Sequence, residues 1–325
     1  VSIAAPAMVF KSEAIVHPDE VREYISVDEC PLSYNPQVMA LLWDALATRD
    51  VRVLQRAMQS RFAVPSGCAW VNYVRCHDDI GWAFANDDVE AVGFDPRIHR
   101  HFLTRFFTGR FDGSFARGAP FQEDPVTGDA RVSGTCASLT GVERALEDGD
   151  GRELELAIGR ILLIHGIIIM IGGIPLIYLG DEIATLNDYA YDQDAEKVGD
   201  SRWLHRGAFD WERAEQRRDM ETVPGRIYQG LLRLLQVRIH NHAFARGDTE
   251  LLDTGNRHVF GFLRSSEQST VFVLGNFSEH AQGLEARRLR QMGMRKTMVD
   301  LFAGQTIVAT QELVLGPYQL MALAR

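Results

Sequence analysis

The stretch CAWVNYVRCHDD at residues 68–79 decides the fold class, because it joins a predicted strand to a cluster of polar side chains. Trp70, Val71, Tyr73 and Val74 are aromatic or β-branched, the side chains that strands favour. The apolar run then changes at once to His-Asp-Asp at 77–79. In (β/α)8 barrels, functional side chains follow the carboxyl ends of parallel strands. The stretch therefore predicts one parallel strand with candidate site residues directly after it.

Similar units lie on both sides of this stretch. Strand-like apolar runs occur at 4–10, 30–34 and 174–179, and helical spacing is found at 38–47, 51–60, 152–170 and 224–240. The alternation of strands and helices predicts an α/β fold with a parallel sheet. Glu13 follows the first strand and Asp181-Glu182 follows the last, again at carboxyl ends. Four βα units are visible, which is half of a (β/α)8 barrel.

Two segments depart from this alternation. Residues 81–138 are rich in Gly, Asp and Phe, and only 97–107 have helical character. From about residue 244, short strands at 259–263, 270–277, 297–302 and 312–323 are separated by turn residues. Such a pattern predicts an antiparallel all-β domain at the end of the chain.

Composition and charge restrict the class of protein. The 325 residues are 46% hydrophobic and 24% charged, which is typical of a globular protein with a buried core. A formal net charge of −10 disfavours nucleic acid as a partner. The apolar run at 161–180 is about as long as a membrane span, but Gly172, Gly173 and Pro175 interrupt it. We expect a buried helix followed by a buried strand, and no membrane partner.

The cysteines predict neither a metal centre nor a cofactor. They stand at 30, 68, 76 and 136 without a CxxC pattern, so we expect free thiols of a reducing, cytoplasmic compartment. His165 lies within an apolar run and is predicted to be a core histidine. The first residues have no basic segment typical of a signal peptide, and the chain does not begin with Met. A piece of a longer chain would have this appearance.

Four residues are candidates for chemistry on the residue pattern alone. Glu13 beside a strand end suits a proton donor, His77 and Asp78 suit sugar hydroxyls, and Arg202 in GDSRW offers a forked donor. Each also has a plain structural interpretation. Glu13 would be a solvated loop residue, the HDD triplet a turn that caps a helix, and GDSRW a structural loop.

Taken together, several stretches resemble the amylosucrases and sucrose hydrolases of the α-amylase superfamily, glycoside hydrolase family 13. The resemblance extends over the whole chain and assigns strand 7 to VNYVRCHDDIGW. The other stretches are FKSEAIVHP (10–18, strand 5), FDGSFARGAPFQ (111–122) with RVSGT (131–135, inserted domain), GGIPLIYLGDEIATLND (172–188, strand 8) and DSRWLHR (200–206, the following loop).

The resemblance implies the architecture. Strands 5 to 8 of a TIM barrel would carry a domain inserted after strand 7 and would be followed by an antiparallel β-sandwich. The implied boundaries are 1–79 for strands 5 to 7, 80–145 for the inserted domain, 146–243 for helix 7, strand 8 and helix 8, and 244–325 for the β domain.

The resemblance also implies roles. Glu13 would be the general acid/base, Asp78 would stabilise the transition state, and His77 would hold the same sugar. Arg202 would close the base of the pocket by pairing with an aspartate. The residues that match acceptor and fructosyl subsites are Asp79, Arg100, Gln122 and Arg131.

The implied reaction is retaining glucosyl transfer from sucrose to an α-1,4-glucan with release of fructose. A retaining enzyme needs a second carboxylate as nucleophile. In this family it lies on strand 4, for which these residues have no counterpart, nor is there one for the aspartate partner of Arg202. We therefore expect an inactive C-terminal half that requires the N-terminal half of the barrel, or a second chain that supplies it. Alternatives are a sucrose hydrolase, an isomaltulose- or trehalulose-forming enzyme, and a non-catalytic glucan-binding fragment.

Overall fold

The structure is a computed structural model that describes residues 7–14 and 16–325, with the side chain of Arg246 excepted. Its strands form one parallel sheet and several antiparallel ones. In chain order, the strands are β1 (Lys11–Ser12), β2 (Leu32–Tyr34), β3 (Ala69–Tyr73), β4 (Ala119–Phe121), β5 (Arg131–Ser133), β6 (Ile174–Leu176), β7 (Asp248–Leu252), β8 (Val259–Ser265), β9 (Thr270–Asn276), β10 (Gln282–Leu284), β11 (Thr297–Asp300), β12 (Thr306–Val308), β13 (Leu313–Leu315) and β14 (Leu320–Ala324).

The longer helices agree with the predicted helical segments to within a few residues. The described α-helices are α1 (Pro18–Val21), α2 (Pro36–Thr48), α3 (Arg52–Arg61), α4 (Asn86–Glu90), α5 (Pro96–Phe107), α6 (Cys136–Thr140), α7 (Val142–Asp148), α8 (Gly151–Met170), α9 (Trp211–Glu215), α10 (Val223–Ile239), α11 (His242–Arg246) and α12 (Ala286–Gln291). Local signals set several of their starts. The Asn35 side chain accepts a hydrogen bond from the Val38 amide at 3.1 Å and caps α2.

The parallel sheet has the order β1-β2-β3-β6, and every neighbouring pair is parallel. Ser12 pairs with Ser33, Leu32 with Ala69, and Val71 with Ile174. All four strands therefore end at one edge, which brings the residues after β1 and β3 to the same side. This confirms the predicted α/β class, while the half-barrel interpretation stays a prediction.

The first strand is shorter than the sequence predicts. Positions 4–6 of the predicted strand lie outside the described residues, and 7–10 are irregular and exposed. Among the described residues, pairing begins at Lys11, because its partner Leu32 is the first residue of β2. The predicted strand at 174–179 is also wrong in length, since β6 ends at Leu176 and its partner in the described part of the chain is the short β3.

The core lies between the sheet and its helices. Trp43 of α2 is fully buried, and its indole Nε1 donates to the Val74 carbonyl at 2.7 Å. Helix α8 is buried over most of its last three turns, as predicted for the apolar run. The predicted burial of the following strand is wrong, since β6 is an edge of the described sheet and its Ile174 is 44% exposed. None of the described helices has the length and apolarity that crossing a membrane requires. All four cysteines are free thiols.

Residues 80–145 pack beside the end of β3. They contain α4 to α6, the first turn of α7, and the hairpin β4–β5, in which Ala119 pairs with Ser133 and Phe121 with Arg131. A bridge between Ile80 and Val132 attaches this hairpin to the chain directly after the His-Asp-Asp triplet. The hairpin is thereby held next to the carboxyl edge of the parallel sheet.

The last part of the chain is antiparallel, as predicted. Six strands form a sheet in the order β12-β11-β14-β9-β8-β7, and β10 pairs with β13. Leu284 of β10 and Leu315 of β13 share one apolar cluster with Phe272 of β9. The two sheets therefore pack face to face through a common core.

Candidate active site

A cavity of about 240 Å³ lies at the carboxyl edge of the parallel sheet. Tyr34, Met39 and Tyr73 form part of its wall. Five of the candidate residues line it, although they are up to 189 positions apart in sequence: Glu13, Asp78, Asp79, Arg131 and Arg202. The fold therefore brings together residues from four separate stretches of the chain.

Glu13 and Asp78 reach the cavity from neighbouring parts of the sheet. Glu13 follows β1 by one residue and is exposed, and Asp78 lies five residues beyond β3. Tyr34 is the last residue of β2 and Tyr73 the last residue of β3. Their rings are in edge-to-face contact, with centroids 5.2 Å apart. This aromatic pair forms an apolar wall beside two carboxylates, which suits a ligand with hydroxyl groups and apolar ring faces.

Asp78 is bound by two arginines. Its Oδ1 accepts hydrogen bonds from Arg202 Nη1 at 3.1 Å and from Arg206 Nη2 at 3.0 Å. Its Oδ2 lies 3.5 Å from His77 Nε2. The carboxylate is about a quarter exposed, so it retains access to the cavity. One oxygen is thus held by guanidinium groups and the other faces the imidazole.

Arg202 has two carboxylate partners within this chain, which the sequence analysis did not anticipate. Besides Asp78, it binds Asp200 in a bidentate pair, with Nε–Oδ1 at 2.8 Å and Nη2–Oδ2 at 2.7 Å. The hydrogen bond from Arg202 lowers the pKa of Asp200 to about 2. Both carboxylates therefore anchor the Arg202 guanidinium beside the cavity.

The hairpin β4–β5 contributes Arg131 to the site, and this residue joins Asp79 and Gln122 in a polar cluster. Arg131 Nε lies 3.2 Å from Asp79 Oδ2, and Arg131 Nη2 donates to Gln122 Oε1. Asp79 is largely buried, and this burial raises the pKa of its carboxyl despite the nearby Arg131. The ring of Phe121 lies between the guanidinium groups of Arg131 and Arg202, at 4.8 and 4.5 Å. Three of the residues assigned to acceptor subsites thus form one cluster.

Arg100 and the His77 side chain do not share this cavity. Arg100 lines a separate cavity of about 380 Å³, because its guanidinium stacks on Phe84 and donates to the Phe84 carbonyl at 2.9 Å. The side chain of His77 is half exposed. Its carbonyl, however, accepts from Arg206 Nε at 2.6 Å and faces His205 Nε2 at 3.2 Å. Arg206 and His205 are site residues that the residue pattern did not single out, although both lie in the quoted stretch DSRWLHR.

Two groups of side chains bring metal-ligand atoms together among the described residues: Cys76, His77 and Asp78, and Cys136, His165 and Asp181. In both groups an arginine already neutralises the carboxylate. Asp78 binds Arg202 and Arg206, and Asp181 Oδ1 accepts from Arg75 Nε at 2.7 Å. A cation would have to compete with these guanidinium groups. His165 is fully buried in the core, as predicted.

One part of the chain matches a known domain family. Residues 249–321 match the C-terminal domain of maltogenic amylase. These residues correspond to the antiparallel β domain that begins near β7.

Curated relatives extend the similarity to the whole chain. Glucosylglycerate phosphorylase of Escherichia coli (strain K12) is 24% identical over 324 residues, which are 98% of this chain and 53% of the relative. Trehalose synthase of Thermus thermophilus is 22% identical over 344 residues, covering 96% of this chain and 31% of the relative. The chain spans about half the length of the phosphorylases it matches.

Solved structures share the fold. Sucrose 6F-phosphate phosphorylase from Thermoanaerobacter thermosaccharolyticum aligns with a TM-score of 0.62 at 14% identity, covering 96% of this chain and 53% of that chain. Cyclic α-maltosyl-(1→6)-maltose hydrolase from Arthrobacter globiformis aligns with a TM-score of 0.58 at 15% identity, covering 100% of this chain and 51% of that chain. The similarities support the resemblance at the level of the α-amylase superfamily, glycoside hydrolase family 13. They do not single out amylosucrase.

Proposed function

We propose that this chain belongs to a retaining α-glucosyl-transferring enzyme that cleaves sucrose and passes glucose to an α-1,4-glucan. The observation that carries the proposal is the cavity shared by Glu13, Asp78, Asp79, Arg131 and Arg202. In the proposed division, 1–79 and 146–243 supply barrel strands 5 to 8, 80–145 is the inserted domain, and 244–325 is the β domain. We place the enzyme in the cytoplasm, in keeping with its four free thiols.

Glu13 acts as general acid and then as general base. In the first step a nucleophilic carboxylate attacks the anomeric carbon, the bond to the fructosyl oxygen breaks, and Glu13 gives its proton to that oxygen. In the second step Glu13 takes the proton of the acceptor hydroxyl as this oxygen attacks the anomeric carbon and frees the nucleophile. We propose that the nucleophile lies outside these 325 residues, in the segment that completes the barrel.

Asp78 binds hydroxyl groups of the glucosyl ring and stabilises positive charge at the anomeric carbon in the transition state. Its Oδ1 is shared by Arg202 and Arg206, whereas Oδ2 lies 3.5 Å from the imidazole Nε2 of His77. Sugar hydroxyls can therefore donate to Oδ2 while the arginines hold the carboxylate in place. Charge-assisted hydrogen bonds of this kind are roughly twice as strong as neutral ones.

In the proposed site, the cluster of Asp79, Gln122 and Arg131 binds the acceptor. Arg131 begins β5, Gln122 directly follows β4, and Asp79 and Arg131 line the same cavity as Glu13. Arg100 lies in a different cavity, so it contacts only an acceptor long enough to extend there.

The experiment that tests the proposal is Glu13→Gln in the full-length gene product. Cleavage of sucrose should fall roughly 10²–10⁴-fold, because the fructosyl leaving group needs a proton. Cleavage of α-glucosyl fluoride should fall far less, because fluoride leaves with little protonation. The control Glu29→Gln, at another exposed position, should match the wild type with both donors. Equal losses with the two donors would remove Glu13 from the acid/base role.

A phosphorylase is the second candidate, and two observations favour it. Glucosylglycerate phosphorylases and sucrose 6F-phosphate phosphorylase are among the similar proteins. The guanidinium groups of Arg131 and Arg202 line the cavity, and a third, that of Arg206, binds Asp78 beside it. All three are already paired with aspartates, so a phosphate would have to share them. Supplying inorganic phosphate with sucrose distinguishes the candidates. Glucose 1-phosphate indicates a phosphorylase, glucan a transferase, and free glucose a sucrose hydrolase.

A further inference from the structure

His205 is a buried histidine behind the candidate site. It ends the short 3-10 turn Ser201–His205, and its side chain is 5% exposed. The Gly134 amide donates to its Nδ1 at 3.1 Å, and its Nε2 lies 3.2 Å from the His77 carbonyl oxygen. The ring therefore spans the space between the end of β5 and the residue that precedes Asp78.

These two partners determine the protonation state of the ring. A backbone amide only donates, so Nδ1 carries no proton, and a carbonyl only accepts, so Nε2 carries one. Burial, followed by the charge of Arg75, lowers the pKa of His205 to about 3. The neutral Nε2–H form is thus maintained across the pH range in which most enzymes work.

Both contacts lead to residues of the proposed reaction. Gly134 follows Ser133, the last residue of β5, and β5 begins with Arg131 of the acceptor cluster. A Cβ at Gly134 would lie 2.8 Å from the side chain of Leu139, so a larger residue there would displace this buried leucine. On the other side, the His77 carbonyl belongs to the peptide bond that orients Asp78.

We propose that His205 is a positioning residue that couples the acceptor hairpin β4–β5 to the His77–Asp78 peptide, and thereby sets donor and acceptor subsites relative to each other. This inference rests on the proposed function. Arg206 also helps to position the His77–Asp78 peptide, because its Nε donates to the His77 carbonyl at 2.6 Å. In this proposal, His205 does not contact the sucrose or the acceptor and acts only through the backbone of His77 and Gly134.

Two substitutions separate the two contacts. In His205→Asn, the amide oxygen replaces Nδ1 as acceptor for Gly134, but the His77 carbonyl loses one of its two donors and keeps only Arg206 Nε. In His205→Gln, the amide nitrogen replaces Nε2, but the Gly134 amide loses its acceptor. His205→Phe removes both contacts and keeps the ring volume.

The full-length gene product is assayed for sucrose turnover and for the ratio of transfer to hydrolysis. Because a shift of about 1 Å can cost on the order of 10²-fold, we expect His205→Phe to lower kcat/KM for sucrose by up to that factor. His205→Asn should lower kcat with sucrose while keeping the product ratio. His205→Gln should keep most of the sucrose turnover but shift products towards free glucose.

His99→Phe is the matched control. His99 is equally buried, its Nε2 lies 2.8 Å from Asp44 Oδ1, and it does not line the cavity. This variant should lower the thermal midpoint without changing the product ratio. If the Asn and Gln variants lose both activities in parallel, in proportion to their thermal midpoints, His205 has only a general structural role and the inference is wrong.

Nitrogen-15 spectra of labelled histidines provide a readout that does not need activity. They should show His205 as the neutral Nε2–H form from pH 5 to pH 8, and the Gly134 amide should exchange faster in His205→Phe. An Nδ1–H form would overturn the inference. If the wild type fails to cleave sucrose while these signals are present, the proposed function is wrong and the linkage itself still stands.

Discussion

Arg61 lies at the centre of three aspartates that join separate parts of the chain. Its guanidinium contacts Asp19 Oδ1 at 2.6 Å, Asp87 Oδ2 at 3.0 Å, and the carboxylate of Asp88. Asp88 is nearly fully buried, and burial raises the pKa of its carboxyl although Arg61 acts in the opposite direction. A buried carboxylate without its guanidinium partner costs far more than an exposed one.

We therefore expect Arg61→Met to reduce the free energy of unfolding by about 3–5 kcal/mol. Arg226→Met is the matched control, since Arg226 forms a bidentate pair with the exposed Glu155 at 2.7 and 2.6 Å. Its loss should cost less than about 1 kcal/mol. Denaturant unfolding at pH 7 measures the free energy of unfolding of both variants. Equal losses of stability would show that the burial of Asp88 does not determine the cost of removing Arg61.

At the scale of elements, the position of the hairpin β4–β5 depends on the close approach of the Gly118 backbone to α5 and β5. A Cβ at Gly118, directly before β4, would lie 2.6 Å from the Phe107 carbonyl oxygen and 3.0 Å from that of Ser133. Both neighbours are backbone atoms, one at the end of α5 and one in β5. Neither can move without displacing the element to which it belongs.

Gly118→Ala should therefore destabilise the protein by about 1–3 kcal/mol, as overpacking does. It should also shift Arg131 and lower transfer relative to hydrolysis. Gly151→Ala is the control, because Gly151 begins α8 and its Cβ would meet nothing within 4 Å. Thermal unfolding and product analysis of both variants measure these two effects. A Gly118 variant as stable as the Gly151 variant would show that the hairpin accommodates the methyl group.

At the scale of the whole molecule, the parallel sheet has two open edges within the part of the chain that the structure describes. Its order is β1-β2-β3-β6, so β1 and β6 each pair on one side only. Apolar side chains are exposed near both edges, with Met8 and Val9 54% and 60% exposed, and Ile174 and Leu179 44% and 64% exposed. Open, apolar strand edges favour pairing with other chains.

Residues 1–325 expressed alone should therefore self-associate and release no fructose from sucrose. Ile174→Lys places a charge on the β6 edge and should reduce association. Ile239→Lys, at a 77% exposed position at the end of α10, should not. Light scattering after gel filtration and a fructose assay provide the measurements. A monomer that cleaves sucrose would place the nucleophile within these residues, and a soluble chain that binds glucan without turnover would favour the binding fragment.

The sequence by itself determined the features that depend on neighbouring residues. Helical spacing and local caps such as Asn35 defined α2, α3, α8 and α10 to within a few residues. The strand before His77 and the polar residues after it are equally local, so the parallel α/β class followed from them. The motif residues Glu13, Asp78, Asp79, Arg131 and Arg202 were recognisable one stretch at a time, and the cavity unites them.

Only the tertiary structure decided which of these residues meet. Strand β2 limits the length of β1. The ring of Phe84 determines where Arg100 lies, and the loop that folds back onto Asp78 determines the partners of Arg202. The contacts of His205 join residues that are 71 and 128 positions apart. Hydrogen bonds and ion pairs act over about 3 Å, and sequence spacing contains no information on such distances until the chain has folded.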